Sequence, residues 1–407
     1  MWPSYEALVV GAGPAGLATS RELSRRGVSH VVLERGDQVG QTWAHLYESL
    51  VLHTAKRLSE LPDLAFPPGT SLFPTRVDFL AYLHRYAETF RVPVETQVEV
   101  ASLRRAEGVW LARTTHGVEI QACAVVVATG IVSNPYVPEI PQRGLFRGRV
   151  LHSVDYRRPD SFAGRRVLVV GAGNSAGEIS VELARAGADV TLAARTGASV
   201  VPRTILGIPV QYFALILASL PRTVQRAAAT MMTAASALGG GIAMPPSQPG
   251  SCPNFPLIGF HLVDALRART IRLKGGVTEF TSSGVRFADG SEEPFDDVVL
   301  ATGYNAAIGM LRDGVHLDEC GFGRRRNQVV SVDQPDLYFV GHNYDIRGAL
   351  FNIGRDAPLA AARVSSTLGG TFRTSTETPR QLSERRWEWS RRATAGPAAA
   401  PSGRRSA

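Results

Sequence analysis

The sequence predicts an α/β fold of two Rossmann-like dinucleotide-binding units, the second inserted in the first, with a helical lid segment. Three observations predict it. The apolar run Ala7 to Val10 leads straight into Gly11-Ala12-Gly13-Pro14-Ala15-Gly16 and then into helical sequence. A second fingerprint, Gly171-Ala172-Gly173-Asn174-Ser175-Ala176, lies 160 residues further on, behind Val167 to Val170. Gly27 and Gly187 each follow the first glycine of their unit by sixteen residues, so the copies share length as well as motif. A lone fingerprint is weak, because a tight strand-to-helix turn can bind nothing. Two in register are a much stronger signal.

Each element then has a chemical reading. Gly11, Gly13 and Gly16, with Pro14 and Ala15 between them, let the backbone approach a pyrophosphate at the positive end of a helix. The closing run Val31-Val32-Leu33 ends in Glu34, placed to accept hydrogen bonds from a ribose 2′-hydroxyl, with Arg35 beside it. In the second copy Gly171, Gly173, Asn174, Ser175 and Ala176 face the corresponding pyrophosphate, and Ala194-Arg195 stands where Glu34 stood. A carboxylate repels a ribose 2′-phosphate, whereas a neutral residue beside an arginine welcomes one. The expected cofactors are therefore FAD in the first unit and NADPH in the second.

Between these units, Val77 to Phe90 carries apolar residues at helical spacing. Val98 to Leu103, Val109 to Arg113 and Val118 to Ala122 read as strands, and Val125 to Val127 returns to the central sheet. It ends in the small-residue turn Ala128-Thr129-Gly130, which lets the chain pass close to a bound cofactor. Phe146 to Tyr156 reads as a linker, and Ala301-Thr302-Gly303 ends the second unit as Thr129-Gly130 ends the first. Ile205 to Met244 is apolar and is expected to be a helical lid; Pro221 and Arg222 interrupt any membrane span. Leu337 to Val340 is a further strand and Pro358 to Leu368 a closing helix. The expected divisions are 1–157 and 306–371 for the FAD unit, 158–305 for the NADPH unit, and a disordered Arg-rich tail at 372–407.

The totals exclude several classes. The tail holds eight Arg against three Glu, +5 of the net +8, so the body is only about +3 and nucleic acid is not an expected partner. Cys123, Cys252 and Cys320 are far apart and no Cys-x-x-Cys occurs, which excludes a redox dithiol; the thiols read as incidental, and no metal site is expected. The first strand begins within a few residues of Met1, so a cytoplasmic protein without a signal peptide is expected. Association with a membrane is not expected, and the oligomeric state is not legible.

These residues resemble a known family. Phe146-x-Gly148-x-x-x-His152 between the two fingerprints is similar to the FxGxxxHxxx motif of flavin-containing monooxygenases, and Ala301-Thr302-Gly303-Tyr304 is similar to their ATGY motif. Leu52 to Pro62, Phe73-Pro74-Thr75 and Val201-Pro202-Arg203 resemble the YUCCA-type branch. The resemblance implies that NADPH reduces FAD, that a C4a-(hydro)peroxyflavin forms with O2, and that one oxygen goes to a small organic substrate. N- or S-oxygenation and oxidative decarboxylation are the expected reactions. A Baeyer–Villiger reaction on a ketone, or a flavin-binding redox protein without turnover, are the alternatives.

The resemblance also assigns residues. Gln41 and Trp43 line the flavin side, with Thr54, Val98, Thr129 and Gly130 nearby. Arg195, with Arg203 as a second candidate, holds the 2′-phosphate, and Ala301, Thr302 and Gly303 adjoin the second nucleotide. His152 either contacts the nicotinamide nucleotide or holds the linker. His53 stands where many members have Asn, as the candidate catalytic residue or as a packed histidine beside the flavin. Gly259 replaces the Asp of the YUCCA pattern, and Tyr156 the Trp of Baeyer–Villiger relatives.

Overall fold

Two sheets of largely parallel strands organise the chain. The structure, a computed structural model, describes residues 3–195, 197–198, 200–221, 223–224, 227, 256–345 and 347–371. The expected tail at 372–407 and the later part of the expected lid, 228–244, lie outside the described residues.

In the first sheet Ser4–Val10 runs parallel between His30–Leu33 and Glu119–Val127, with Leu337–Phe339 parallel on the far side of Glu119–Val127. Its strands come from residues 4–127 and 325–339. The four residues Ala7, Leu8, Val9 and Val125 are fully buried, as a parallel strand covered on both faces requires. Glu119–Val127 is one continuous strand. Its first half pairs antiparallel with Val109–Thr114 and its second half lies in the parallel core, so two separately expected strands are a single element. Helix Pro14–Arg25 packs under the sheet against the long helix Ala349–Thr371.

The closing helix starts nine residues before the expected Pro358 and passes through it. A proline ring inside a helix crowds the carbonyl four residues back, here that of Gly354. The buried Leu350, Ile353, Ala357 and Ala361 on either side hold the helix against the core. Helix Arg76–Thr89 matches the apolar spacing closely. It begins with a capping box, in which the Thr75 side chain accepts from the Asp78 N–H and the Asp78 carboxylate from the Thr75 N–H.

The second sheet is parallel throughout, in the order Ile271–Lys274, Asp189–Ala193, Arg166–Val170, Asp297–Leu300, Arg149–His152. The stretch expected to be a linker thus supplies its edge strand, Arg149–His152, through pairing with Asp297–Leu300. The apolar segment also differs from expectation. It opens as a hairpin of Thr204–Ile205 with Ile208–Pro209, turned at Leu206 (φ 49°) and Gly207 (φ 78°), and helix begins at Val210–Ser219. Leu206-Gly207 supplies the left-handed pair that a two-residue hairpin turn demands, and this overrides the helical pattern. Cys320 is disulfide-bonded rather than an incidental thiol, while Cys123 is free. Among the described residues no helix is long and apolar enough to cross a membrane.

Candidate functional site

The glycines of the first fingerprint do two different jobs. A Cβ on Gly11, which has φ 105°, would lie 2.7 Å from the Ala128 carbonyl oxygen, and one on Gly16 would lie 1.8 Å from that of Gly11. Those two permit the strand, the turn and the helix to touch. A Cβ on Gly13 would meet nothing within 4 Å, and Gly13 opens helix Pro14–Arg25 with no side-chain cap. The free N–H groups of that helix start thus face open space, where an anion is favoured.

Glu34 stands beside this turn with its carboxylate buried. Its Oε2 accepts from the Ala12 N–H (2.8 Å) and its Oε1 from the Gly36 N–H (2.9 Å). A carboxylate has about four lone-pair positions, so it braces the loop and retains capacity for a ribose hydroxyl. A cavity of about 420 Å³ opens from here, lined by Gly11, Gly13, Pro14, Ala15, Glu34, Arg35, Trp43, His53, Thr54, Val98, Thr129 and Gly130. Gly16 lies beneath the turn. Gln41 folds over Gly36, where a Cβ would come within 2.3 Å of its Cγ, and its Oε1 is buried without a hydrogen-bond partner. The open cradle at Gly13 fits a large anionic ligand in this cleft, whereas Gln41, expected on the flavin side, is not among the residues that line it.

The second fingerprint repeats the plan with other contacts. A Cβ on Gly171 would lie 2.2 Å from the Ala301 carbonyl oxygen, and Gly173 again faces open space at an uncapped helix start, that of Asn174–Arg185. Ala176 fills the third glycine position and is fully buried. The Asn174 side chain is engaged elsewhere, donating to the Pro256 carbonyl (3.2 Å) and accepting from the Ile258 N–H (2.8 Å), so only its backbone faces the turn. Ser175 lies in the first helical turn, half-buried. Ala194 is buried, and the Arg195 stem packs across Gly276 at the end of its strand.

The two small-residue turns brace each other's crossings between the sheets. Thr129 Oγ1 donates to the Ala307 carbonyl and the Ala307 N–H to the Gly130 carbonyl. Thr302 Oγ1 donates to the Tyr136 carbonyl, and the Tyr136 N–H to the Gly303 carbonyl. His152 is buried where these crossings meet. Its Nδ1 accepts from the Val154 N–H (3.1 Å), and its ring lies edge-on to Tyr304 at 5.1 Å. Burial lowers its proton affinity from the ordinary histidine value.

The structure brings together a group that the sequence did not pair. His53 Nε2 lies 2.6 Å from Glu178 Oε1, and the buried Tyr47 hydroxyl donates to Glu178 Oε2. Burial pushes the Glu178 carboxyl up, but the hydrogen bonds and charge of His53, Tyr47 and Arg203 outweigh it and hold the group below its usual range. Arg203, the second candidate for the 2′-phosphate, adjoins this group. Its Nη2 donates to the Leu52 carbonyl (3.1 Å), and its guanidinium lies 4.6 Å over the Phe73 ring. Gln211, also missed, accepts from the Ala55 N–H and donates to the Arg347 carbonyl, tying the His53 loop to helix Val210–Ser219. The one sequence signal for Glu178 was its place four residues after Asn174, on the same helix face.

Residues 8–204 match the family model for pyridine nucleotide-disulphide oxidoreductases. The rice (Oryza sativa subsp. japonica) indole-3-pyruvate monooxygenase YUCCA1 is 38% identical over 315 residues, 74% of this chain and 77% of the relative. A flavin monooxygenase from Stenotrophomonas maltophilia, solved as a double mutant, superposes with a TM-score of 0.73 at 25% identity, covering 90% of this chain and 99% of that one. Cyclohexanone monooxygenase in its open form shares the fold alone, with a TM-score of 0.67 at 19% identity over 96% of this chain and 93% of that one. Fold, paired glycine turns and likeness together define a flavin-dependent monooxygenase. The chain belongs to the flavin-containing monooxygenase family, beside its YUCCA-type members.

Proposed function

We propose that the first cleft binds FAD, that the turn at Gly171 to Ala176 binds NADPH, and that the enzyme oxygenates a small organic substrate with O2. The substrate class we favour is a 2-oxo acid undergoing oxidative decarboxylation, because the rice relative at 38% identity carries the name of an indole-3-pyruvate monooxygenase. N- and S-oxygenation are the next candidates. The observation that carries the reading is the pair of uncapped helix starts, each behind a glycine facing open space, with Glu34 beside one and Arg195 after the other.

The assigned roles follow from chemistry. Gly13 and the helix start behind it hold a pyrophosphate, and Glu34 takes the ribose hydroxyls. Trp43, Val98, Thr54 and the Thr129-Gly130 turn form the cleft wall that excludes water. When bound, FAD supplies the oxygen chemistry and NADPH the reducing equivalents. Two positions bear on substrate. Gly259 has φ 94°, a conformation that an aspartate adopts only with strain. Tyr156 is buried, with its hydroxyl bound to Glu182 (3.0 Å), and so belongs to the packing of the second unit.

The test is direct. Purified protein is expected to be yellow, to bleach with NADPH under argon and to recover in air. A panel of 2-oxo acids, amines, sulfides and ketones, with products quantified, then separates the reaction classes. Protein that takes up no FAD from excess cofactor sinks the reading, and lactone or ester products from ketones alone would favour the Baeyer–Villiger alternative.

A further inference from the structure

We propose that Glu178 is a positioning residue that fixes the ring of His53, so that Nδ1 is the nitrogen offered to the flavin cleft. This deepens the reading above, which treats the cleft as the flavin site. His53 lines that cleft, whereas Glu178 belongs to the first turns of the helix behind Gly173 in the other unit. The 2.6 Å contact between His53 Nε2 and Glu178 Oε1 therefore crosses from one nucleotide unit to the other.

Three observations argue for orientation rather than a simple tie. First, Glu178 is held as the carboxylate, since its neighbours outweigh the effect of burial. An ionised carboxylate only accepts, so the proton facing it must sit on His53 Nε2, whichever charge the ring carries. Second, the other carboxylate oxygen is fixed by Tyr47, whose buried hydroxyl keeps its proton well above the ordinary tyrosine range because of burial and the adjacent Glu178. Glu178 thus cannot swing away without stranding that donor. Third, the loop carrying His53 is itself clamped. Ala55 N–H donates to Gln211, Thr54 Oγ1 pairs with Ser59 Oγ, and Arg203 holds the Leu52 carbonyl. A ring held on one nitrogen by an acceptor-only partner, on a clamped loop, presents its other nitrogen in one direction.

The experiment has two arms. In the first, chain labelled with ¹⁵N-histidine is compared as wild type, Glu178→Ala and His53→Gln, the last assigning the His53 signals. Wild type is expected to show neutral His53 as a single Nε2–H tautomer, and Glu178→Ala a mixture. Unchanged His53 nitrogen shifts in Glu178→Ala overturn the proposal. In the second, FAD-loaded protein is assayed for the share of oxidised NADPH that ends as hydrogen peroxide rather than product. Glu178→Ala and His53→Ala are each expected to raise that leak roughly tenfold, and the double variant no further than His53→Ala. Additive effects mean that Glu178 acts independently of His53, and the proposal fails. If wild type takes up no FAD, the flavin reading fails, while the first arm, run on cofactor-free chain, still decides the positioning.

Discussion

The two glycine turns share a plan and differ in what braces them. In the first, three glycines and a buried carboxylate do the work. Gly11 and Gly16 let backbone meet backbone, and Glu34 accepts from the loop N–H of Ala12. In the second, Ala176 replaces the third glycine, no acid stands at Ala194, and the Asn174 side chain ties the helix start to Pro256 and Ile258. The first turn is thus held from the ribose side, by the residue that would also meet the ligand. The second is held from behind, which leaves its ribose side to Arg195. Under the proposed function, one motif with two anchorages would give one pocket for a plain ribose and one for a phosphorylated ribose.

The largest effects should come from the glycines that touch backbone. In Gly16→Ala the new Cβ would lie 1.8 Å from the Gly11 carbonyl oxygen, and no side chain can yield to relieve it. We expect a loss of about 3 kcal/mol or more in unfolding free energy, with FAD no longer retained. Gly171→Ala should behave likewise in the second unit, since its Cβ would meet the Ala301 oxygen at 2.2 Å and its φ is 143°. Gly13→Ala and Gly173→Ala are the contrast. Both sites are open, so the nucleotide-free protein should lose no more than about 1 kcal/mol while ligand binding falls. Thermal unfolding without nucleotide, set beside FAD content and NADPH affinity, measures both. If Gly13→Ala unfolds as readily as Gly16→Ala, the division of labour among the glycines is wrong.

Next come the ribose-side residues, which should separate stability from specificity. Glu34→Ala orphans the Ala12 and Gly36 N–H groups, at about 1–3 kcal/mol for each that stays buried, so the fold should weaken even without FAD. Arg195→Ala should leave unfolding unchanged and weaken NADPH by roughly tenfold to a hundredfold, with NADH little affected, as one charge-assisted phosphate contact is worth about 1.5–3 kcal/mol. Equal losses for both nucleotides would move the phosphate contact to another residue.

What was legible in the sequence follows from how far apart the interacting residues lie. The fingerprints, their closing strands and helix Arg76–Thr89 are written in local spacing and capping, and the chain obeys them. The hairpin at Leu206-Gly207 was missed because a run of apolar residues hides its left-handed turn. The closing helix was expected from Pro358, and its first nine residues were missed because packing against Pro14–Arg25 outweighs a local breaker. Glu178 with His53 and Gln211 with Ala55 are separated by 125 and 156 residues, and no local pattern announces such a pairing. Arg203 was a second candidate for the 2′-phosphate; its contacts with the Leu52 carbonyl and the Phe73 ring are made across more than 120 residues, which no local pattern announces.

A pH-dependent effect sharpens the comparison, because the two units each hold a carboxylate displaced in the opposite sense. Asp356, on the long helix against the first sheet, is almost wholly buried. Burial pushes it up to about 6 despite the Asn343 amide at 2.7 Å and nearby arginines. A group raised when folded favours the protonated form. Its contribution is full below the ordinary 3.8 and is lost as pH climbs through about 6, a difference of about 3 kcal/mol. Asp296, beside the second sheet, is held down to about 2 by the Arg166 guanidinium and N–H, so its contribution is present above 3.8 and disappears as pH falls toward 2. Denaturant unfolding across pH 2.5 to 7 should therefore lose its alkaline decline in Asp356→Asn and, more faintly, its acid decline in Asp296→Asn, whose partly exposed ion pair is screened by water. The slopes test placement rather than charge count. A surface Asp356 would leave the curve between pH 4 and 6 unchanged on substitution, and the packing of the long helix against the first sheet would then have to be redrawn.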